Sequence, residues 1–152
     1  MSKLEFTRQI AATPARVWEV LWNEETYPKW TSPFAPMSTA ISDWNEGSEI
    51  RFVDGKGEGM ICTIRRKIDN KYMSFEMQGM VKDGKAVLEG SEVEQWKGGQ
   101  ENYTLTEKDS GTELYIELTS TGMDEGMVDY FRKVWPVALD KLAELATGNA
   151  VQ

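Results

Sequence analysis

Near the C-terminus apolar side chains recur at Met127, Phe131, Val134, Ala138, Leu142 and Leu145, the three-or-four spacing of one helical face. Trp135 and Leu139 widen that stripe, while Asp124, Asp129, Arg132, Lys133, Asp140, Lys141 and Glu144 fall on the opposite side. The spacing predicts one amphipathic helix from Met123 to Gly148, apolar along one side and therefore a lid on a sheet. Asp124 is suited to cap its start, Asp124 and Glu125 suit the positive end of the helix dipole, and Gly148 stands where a left-handed residue closes a helix. Pro136 lies inside the stretch and leaves the carbonyl of Arg132 without its partner, which predicts a kink in the axis and not a break.

At the N-terminal end the period shortens to two. Leu4, Phe6, Arg8 and Ile10 alternate with Glu5, Thr7 and Gln9, the pattern of a half-buried strand. Thr13 then reads as an N-cap with Pro14 at the first helical position; Val17, Val20 and Leu21 form the stripe of a short helix ending near Asn23, with Trp18 and Trp22 beside it. Pro28, Pro33 and Pro36 limit the next segment to one or two further turns and a loop carrying Trp30 and Phe34. Short strands are expected over 41–44, 48–53 and 60–68, separated by turns at 45–47 and 54–57. Met60, Cys62, Ile64 and Ile68 share one face of the last of these with Arg66, and Met73, Phe75 and Met77 continue the alternation after a turn at 69–71. The pattern is lost over 81–99, where Gly84, Gly90, Gly98 and Gly99 interrupt a stretch poor in apolar residues. It returns with Tyr103 and Leu105, then with Leu114, Ile116 and Leu118 set against Glu113, Tyr115 and Glu117. A strand, two short helices, hairpins of about six or seven strands in all and a long closing helix make an α+β fold, expected to form one domain over 1–152.

Composition narrows the function. A chain of 152 residues buries roughly 70% of its unfolded surface, enough for a sizeable core. A formal charge of −8 argues against nucleic acid as a partner, since no basic face is available to release counterions from phosphates. No apolar run approaches the ~20 residues that span a bilayer and the first residues carry no apolar signal core, so membrane insertion is not expected and a cytoplasmic location is. The single cysteine, Cys62, excludes an internal disulfide. Histidine is absent altogether. Serine and cysteine triads of the usual kind, histidine-ligated metals and histidine acid–base chemistry are thereby removed, leaving carboxylates, Tyr, Lys or Arg for any catalysis. No metal, cofactor or catalytic residue is assigned, and ligand binding is expected to be nearly flat between about pH 6 and 8, where histidine ordinarily titrates.

The run Ile10-Ala-Ala-Thr-Pro-Ala-Arg-Val-Trp-Glu-Val-Leu21, the downstream Trp30, the strand-turn-strand Ile68-Asp-Asn-Lys-Tyr-Met-Ser-Phe75 and the helical Trp135-Pro-Val-Ala-Leu-Asp-Lys-Leu142 resemble the START-related helix-grip (SRPBCC-type) superfamily. Within it the sequence is most similar to the Aha-type activators of the heat-shock chaperone ATPase. Val134 stands where that pattern has glycine, Pro136 comes directly after the helix tryptophan, and 81–99 has no counterpart in it. The resemblance implies a curved antiparallel sheet wrapped around the long C-terminal helix, with an apolar cavity between them.

The glycine-rich Asp54-Gly-Lys-Gly-Glu-Gly59 lies between two strands and lacks the strand-to-helix setting of a phosphate loop, so it reads as a hairpin. Cys62, between Met60 and Ile64, reads as an inert core thiol. Glu76, Glu92, Glu113 and Glu117 alternate out of apolar faces and read as solvated. Arg66 falls on an apolar face where an unpaired charge is costly: either a carboxylate or a bound anionic group meets it, or a bulge turns it outward. The aromatic set is the best functional signal, with plain core packing as its alternative. Given the cavity that the resemblance implies, the expected ligand-binding residues are Trp30, Phe34, Met60, Ile64, Arg66, Phe75, Met77, Tyr103, Phe131, Trp135 and Leu139. Three functions are consistent with this. The first is binding of a small apolar or amphipathic, lipid-like molecule without catalysis. The second is a chaperone-interacting module, and the third is an enzyme resembling polyketide cyclases or aromatases.

Overall fold

The computed structural model describes residues 2–120 and 122–148. Strand β1 (Ser2–Ile10) leads into α1 (Pro14–Trp22) and the single turn α2 (Tyr27–Trp30). Four strands come next in chain order, β2 (Thr39–Ile41), β3 (Glu49–Val53), β4 (Gly59–Ile68) and β5 (Tyr72–Lys82). Then come the short β6 (Lys85–Val87), α3 (Ser91–Trp96), β7 (Gln100–Lys108), β8 (Gly111–Ser120) and the long α4 (Glu125–Thr147). The strands form one antiparallel sheet in the order β1-β8-β7-β5-β4-β3-β2, with β6 paired to the end of β5. The first strand thus sits at one edge beside the last, and α1 and α2 carry the chain across to the other edge. This is the helix-grip arrangement, an α+β fold in which α4 lies against the sheet.

Two bulges bend the middle of that sheet. Ile61 faces Gly79 but Cys62 faces Met77, so Gln78 is extra in β5; Ile64 faces Phe75 but Arg66 faces Ser74, so Arg65 is extra in β4. A bulge raises the local twist and kinks its strand, which is how a flat hairpin comes to wrap a helix. It also shifts the inward and outward parity. Ile61 and Cys62 are both buried, and beyond Arg65 the face expected to be apolar points out: Arg66 is exposed and Ile68 is 39% exposed. Ile68 therefore does not share the buried face of Met60, Cys62 and Ile64. Arg65 uses its new orientation to donate from Nε to Ser74 Oγ at 2.9 Å.

The long helix begins and ends where its caps stand. Asp124 Oδ1 accepts from the Met127 amide at 2.9 Å, and Gly148 takes the left-handed φ of 78° that closes α4. The helix continues unbroken through Pro136, which is exposed. Its buried stripe is Trp135, Ala138, Leu139, Leu142 and Ala146, with Phe131, Val134 and Leu145 half-buried on its flanks. Helix α1, capped as expected by Thr13 and burying Val17, Val20 and Leu21, holds the far end of α4. Arg16 donates from Nη2 to Leu145 O at 3.0 Å and from Nε to Ala146 O at 3.4 Å, so a cation meets carbonyls of the last helical turn, at the negative end of the helix dipole.

Two stretches differ from the sequence pattern. Strand β2 covers Thr39–Ile41 and stops short of Trp44, because Trp44 adopts a positive φ of 65° and its amide donates to Ser42 Oγ at 3.0 Å. The stretch 81–99, where the pattern is lost, holds the end of β5, a tight Asp83–Gly84 turn into β6, and α3 entered and left through Gly90 and Gly98, both at positive φ.

Candidate functional site

Between the sheet and the N-terminal half of α4 lies a cavity of about 450 Å³. Tyr27, Trp30 and Phe34 wall it from α2 and the loop after it, Phe52, Met60, Cys62, Phe75, Met77, Tyr103 and Leu118 from the sheet, and Phe131 and Trp135 from α4. The proline-limited loop brings Trp30 and Phe34 to the helix: their rings stand 6.1 Å and 5.0 Å from that of Trp135, and the Tyr103 ring stands 6.2 Å from it on the sheet side. Trp30 is fixed by its indole N–H, which donates to Leu21 O at 3.1 Å. Aromatic pairs favour tilted and edge-to-face arrangements of this kind, so the three rings and Trp135 hold one another in place beside the space.

One ionisable group stands half-buried in this wall. Glu101 on β7 is paired across the ladder with Phe75 on β5 and with Leu118 on β8, so its side chain lies between two apolar neighbours on the cavity side. Desolvation pushes its carboxyl up to about 7, and a hydrogen bond with the Tyr103 hydroxyl offsets part of that rise. Around it, burial raises Tyr103 and Tyr27 well above the ordinary phenol range and likewise raises the Cys62 thiol, with the charge of Glu101 adding to each. At neutral pH these three are uncharged, and Glu101 alone of the group is divided between acid and carboxylate. It is therefore able to donate or accept a hydrogen bond and to hold or release a proton. The expectation of pH-indifference between about 6 and 8 rested on the absence of histidine; desolvation of Glu101 brings a carboxyl into that same window.

Of the residues expected to bind ligand, Trp30, Phe34, Met60, Phe75, Met77, Tyr103, Phe131 and Trp135 line the cavity. Ile64 and Leu139 do not; both are buried in the core, 0% and 3% exposed, with side chains packed against other core residues. Arg66 is on the outer surface, turned there by the bulge at Arg65, and meets neither the cavity nor a buried carboxylate. Cys62 is buried as expected but also lines the cavity. Glu101 is the site residue that the alternation of the sequence does not single out. Among the described residues no group of His, Cys, Asp or Glu is arranged to hold a metal ion, and no helix is long and apolar enough to cross a membrane.

A bulged antiparallel sheet gripping a long C-terminal helix, with a cavity between them, defines the helix-grip class. The chain belongs to the family of activator of Hsp90 ATPase homolog 1-like proteins, whose sequence pattern matches residues 11–147. Its fold is similar to that of the Aha1 dimer from Colwellia psychrerythraea, at 17% identity and a TM-score of 0.73, over 95% of this chain and 95% of that one. It is equally similar to protein MLL2253 from Mesorhizobium loti, at 17% identity and a TM-score of 0.73, over 99% and 100% of the two chains. CalU16 from Micromonospora echinospora matches at 18% identity and a TM-score of 0.66, over 97% of this chain and 77% of that one. At such identities the likeness is one of fold. Comparison with the curated proteins gives no match.

Proposed function

We propose that this protein binds a small amphipathic molecule in the cavity between sheet and α4, its apolar body against the aromatic walls and its polar end at Glu101 and Tyr103. The supporting observation is the combination of about 450 Å³ of space, walled mostly by aromatic and aliphatic side chains, with the desolvated carboxyl of Glu101 among them. Pockets that hold small ligands are of this kind, mostly apolar with a few convergent polar groups that set orientation. Burying apolar surface supplies the affinity, at about 25 cal/mol per Å² removed from water, and the polar groups supply the choice among ligands. Native mass spectrometry of freshly purified protein is the test. A retained small molecule, or uptake of the uncharged fluorophore N-phenylnaphthylamine by ligand-free protein, is the expected result. Bare protein that takes up no such probe contradicts the proposal.

Family membership favours a second reading, interaction with a heat-shock chaperone through the outer surface. Met37, Ile41 and Val137 are large apolar side chains on that surface, 73%, 59% and 47% exposed. Capture of the chaperone by this protein, undiminished when the cavity is filled, is the result that reading requires. A catalytic, cyclase-like role would have to route its proton through Glu101, the group in the cavity that titrates near neutrality. Turnover of a polyketide chain, lost in Glu101→Gln, would establish it.

A further inference from the structure

We infer that the cavity selects molecules that carry a protonated amine at one end of an apolar or aromatic body, with the ammonium group seated against Glu101. This rests on the ligand-binding reading above and adds to it the chemistry of the ligand's polar end. The charges around the space have one sign. Asp54, Glu58 and Glu101 border the cavity, and no Lys or Arg does. Asp54 and Glu58 belong to the β3–β4 hairpin at its edge, where they also brace the turn: Asp54 Oδ1 accepts from the Lys56 and Glu58 amides at 2.8 Å and 3.1 Å, and Glu58 Oε2 from the Asp83 amide at 2.8 Å. Lys82, which feels the charge of Glu58, is engaged by Glu92 at 2.8 Å.

Glu101 is the member of the set that lies on the sheet, between Phe75 and Leu118, and has no cation of its own among the described residues; the hydroxyl of Tyr103 is its polar partner. Facing it are Tyr27 from α2 and Cys62 from β4, while β5 and β8 present Phe75 and Leu118, and α4 presents Trp135. None of these carries a charge at neutral pH. Once ionised, the carboxylate is desolvated with no cation beside it, and an ammonium group offsets that cost as a charge-assisted hydrogen bond. The aromatic faces add a second attraction, since a desolvated cation over Trp or Tyr is favoured by the ring quadrupole. A ligand carboxylate or phosphate would meet like charge with nothing to neutralise it.

The inference fixes the sign of a pH effect. An ammonium ligand binds the ionised form of Glu101, so binding below about pH 7 expels the proton that the empty site holds. The ionised fraction rises about tenfold between pH 6 and 8 for a group near 7, and amine affinity should rise by about the same factor. The probes are naphthylethylamine, naphthylethanol and naphthylacetate, one apolar body with three ends, titrated calorimetrically into the unmodified protein. At pH 8 the amine is expected to bind at least about tenfold more tightly than the alcohol, with the carboxylate weakest. At pH 6, paired titrations in two buffers of different ionisation enthalpy should show about one proton released per amine bound. In Glu101→Gln, checked for folding by its denaturation midpoint, the pH dependence of amine binding should vanish and the amine and alcohol affinities converge. Equal binding of amine and alcohol by the unmodified protein, preference for the carboxylate, or no proton release overturns the inference and leaves the cavity-binding reading standing. Failure of all three probes overturns both.

Discussion

A carboxyl group that is desolvated in the folded state and hydrated in the unfolded chain makes stability depend on pH, and at Glu101 the direction of the shift fixes the sign. The folded protein keeps that proton up to about pH 7, whereas the unfolded chain gives it up near the ordinary value of 4.5. Stability from this group is therefore fully present below about pH 4.5, falls as pH rises toward 7, and is flat above. A shift of that size corresponds to about 3 kcal/mol. Glu101→Gln should remove it: urea denaturation of the two proteins at pH 5 and pH 8 should show the variant gaining on the unmodified protein by up to about 3 kcal/mol at the higher pH. An unchanged difference between the two pH values would mean that the carboxyl is hydrated. The position was legible in principle. Counting back in twos from Leu105 and Tyr103 puts Glu101 on the inward face, but Gly98 and Gly99 stand just before it, and no apolar residue precedes it to set the alternation. Arg66 shows the opposite difficulty, since period-two counting fails wherever one unpaired residue such as Arg65 enters a strand, and nothing in local composition announces it.

At the scale of elements, the helices were the most legible because both their ends and their faces leave marks. Thr13, Pro14, Asp124 and Gly148 act where the sequence places them. The face of α4 is displaced slightly: Trp135 and Leu139, read as the margin of the stripe, lie at its centre, and Met127 and Leu145 are left half-buried. What no periodicity reveals is how α4 is anchored. Arg16 reaches from α1 to two carbonyls some 130 residues away in sequence. Arg16→Met keeps most of the aliphatic stem and removes the donors, so it should cost on the order of 1 kcal/mol and speed amide exchange in the last turn of α4. Loss of stability without faster exchange there would place the effect elsewhere, for instance in its ion pair with Glu19.

For the whole molecule, the sequence carried the fold class and most of the cavity wall, because aromatic side chains at strand and helix positions that face each other are hard to place elsewhere. It did not separate wall from core. Leu139 and Met77 both read as cavity residues, yet Leu139 is packed against its neighbours while Met77 borders open space. Adding the same indole at the two sites therefore asks whether the space is real. Leu139→Trp overpacks a filled core and should cost on the order of 1–3 kcal/mol or more. Met77→Trp places its ring where about 450 Å³ is empty, and should keep a near-normal denaturation midpoint.

The most direct measurement of the central claim is a fluorescence titration with N-phenylnaphthylamine on the unmodified protein and Met77→Trp side by side, with the denaturation midpoint of each recorded. The account predicts saturable uptake by the unmodified protein and its loss in a variant that is about as stable. Uptake by neither, with Met77→Trp destabilised as strongly as Leu139→Trp, would mean that the sheet and α4 enclose a solid core, and would contradict it.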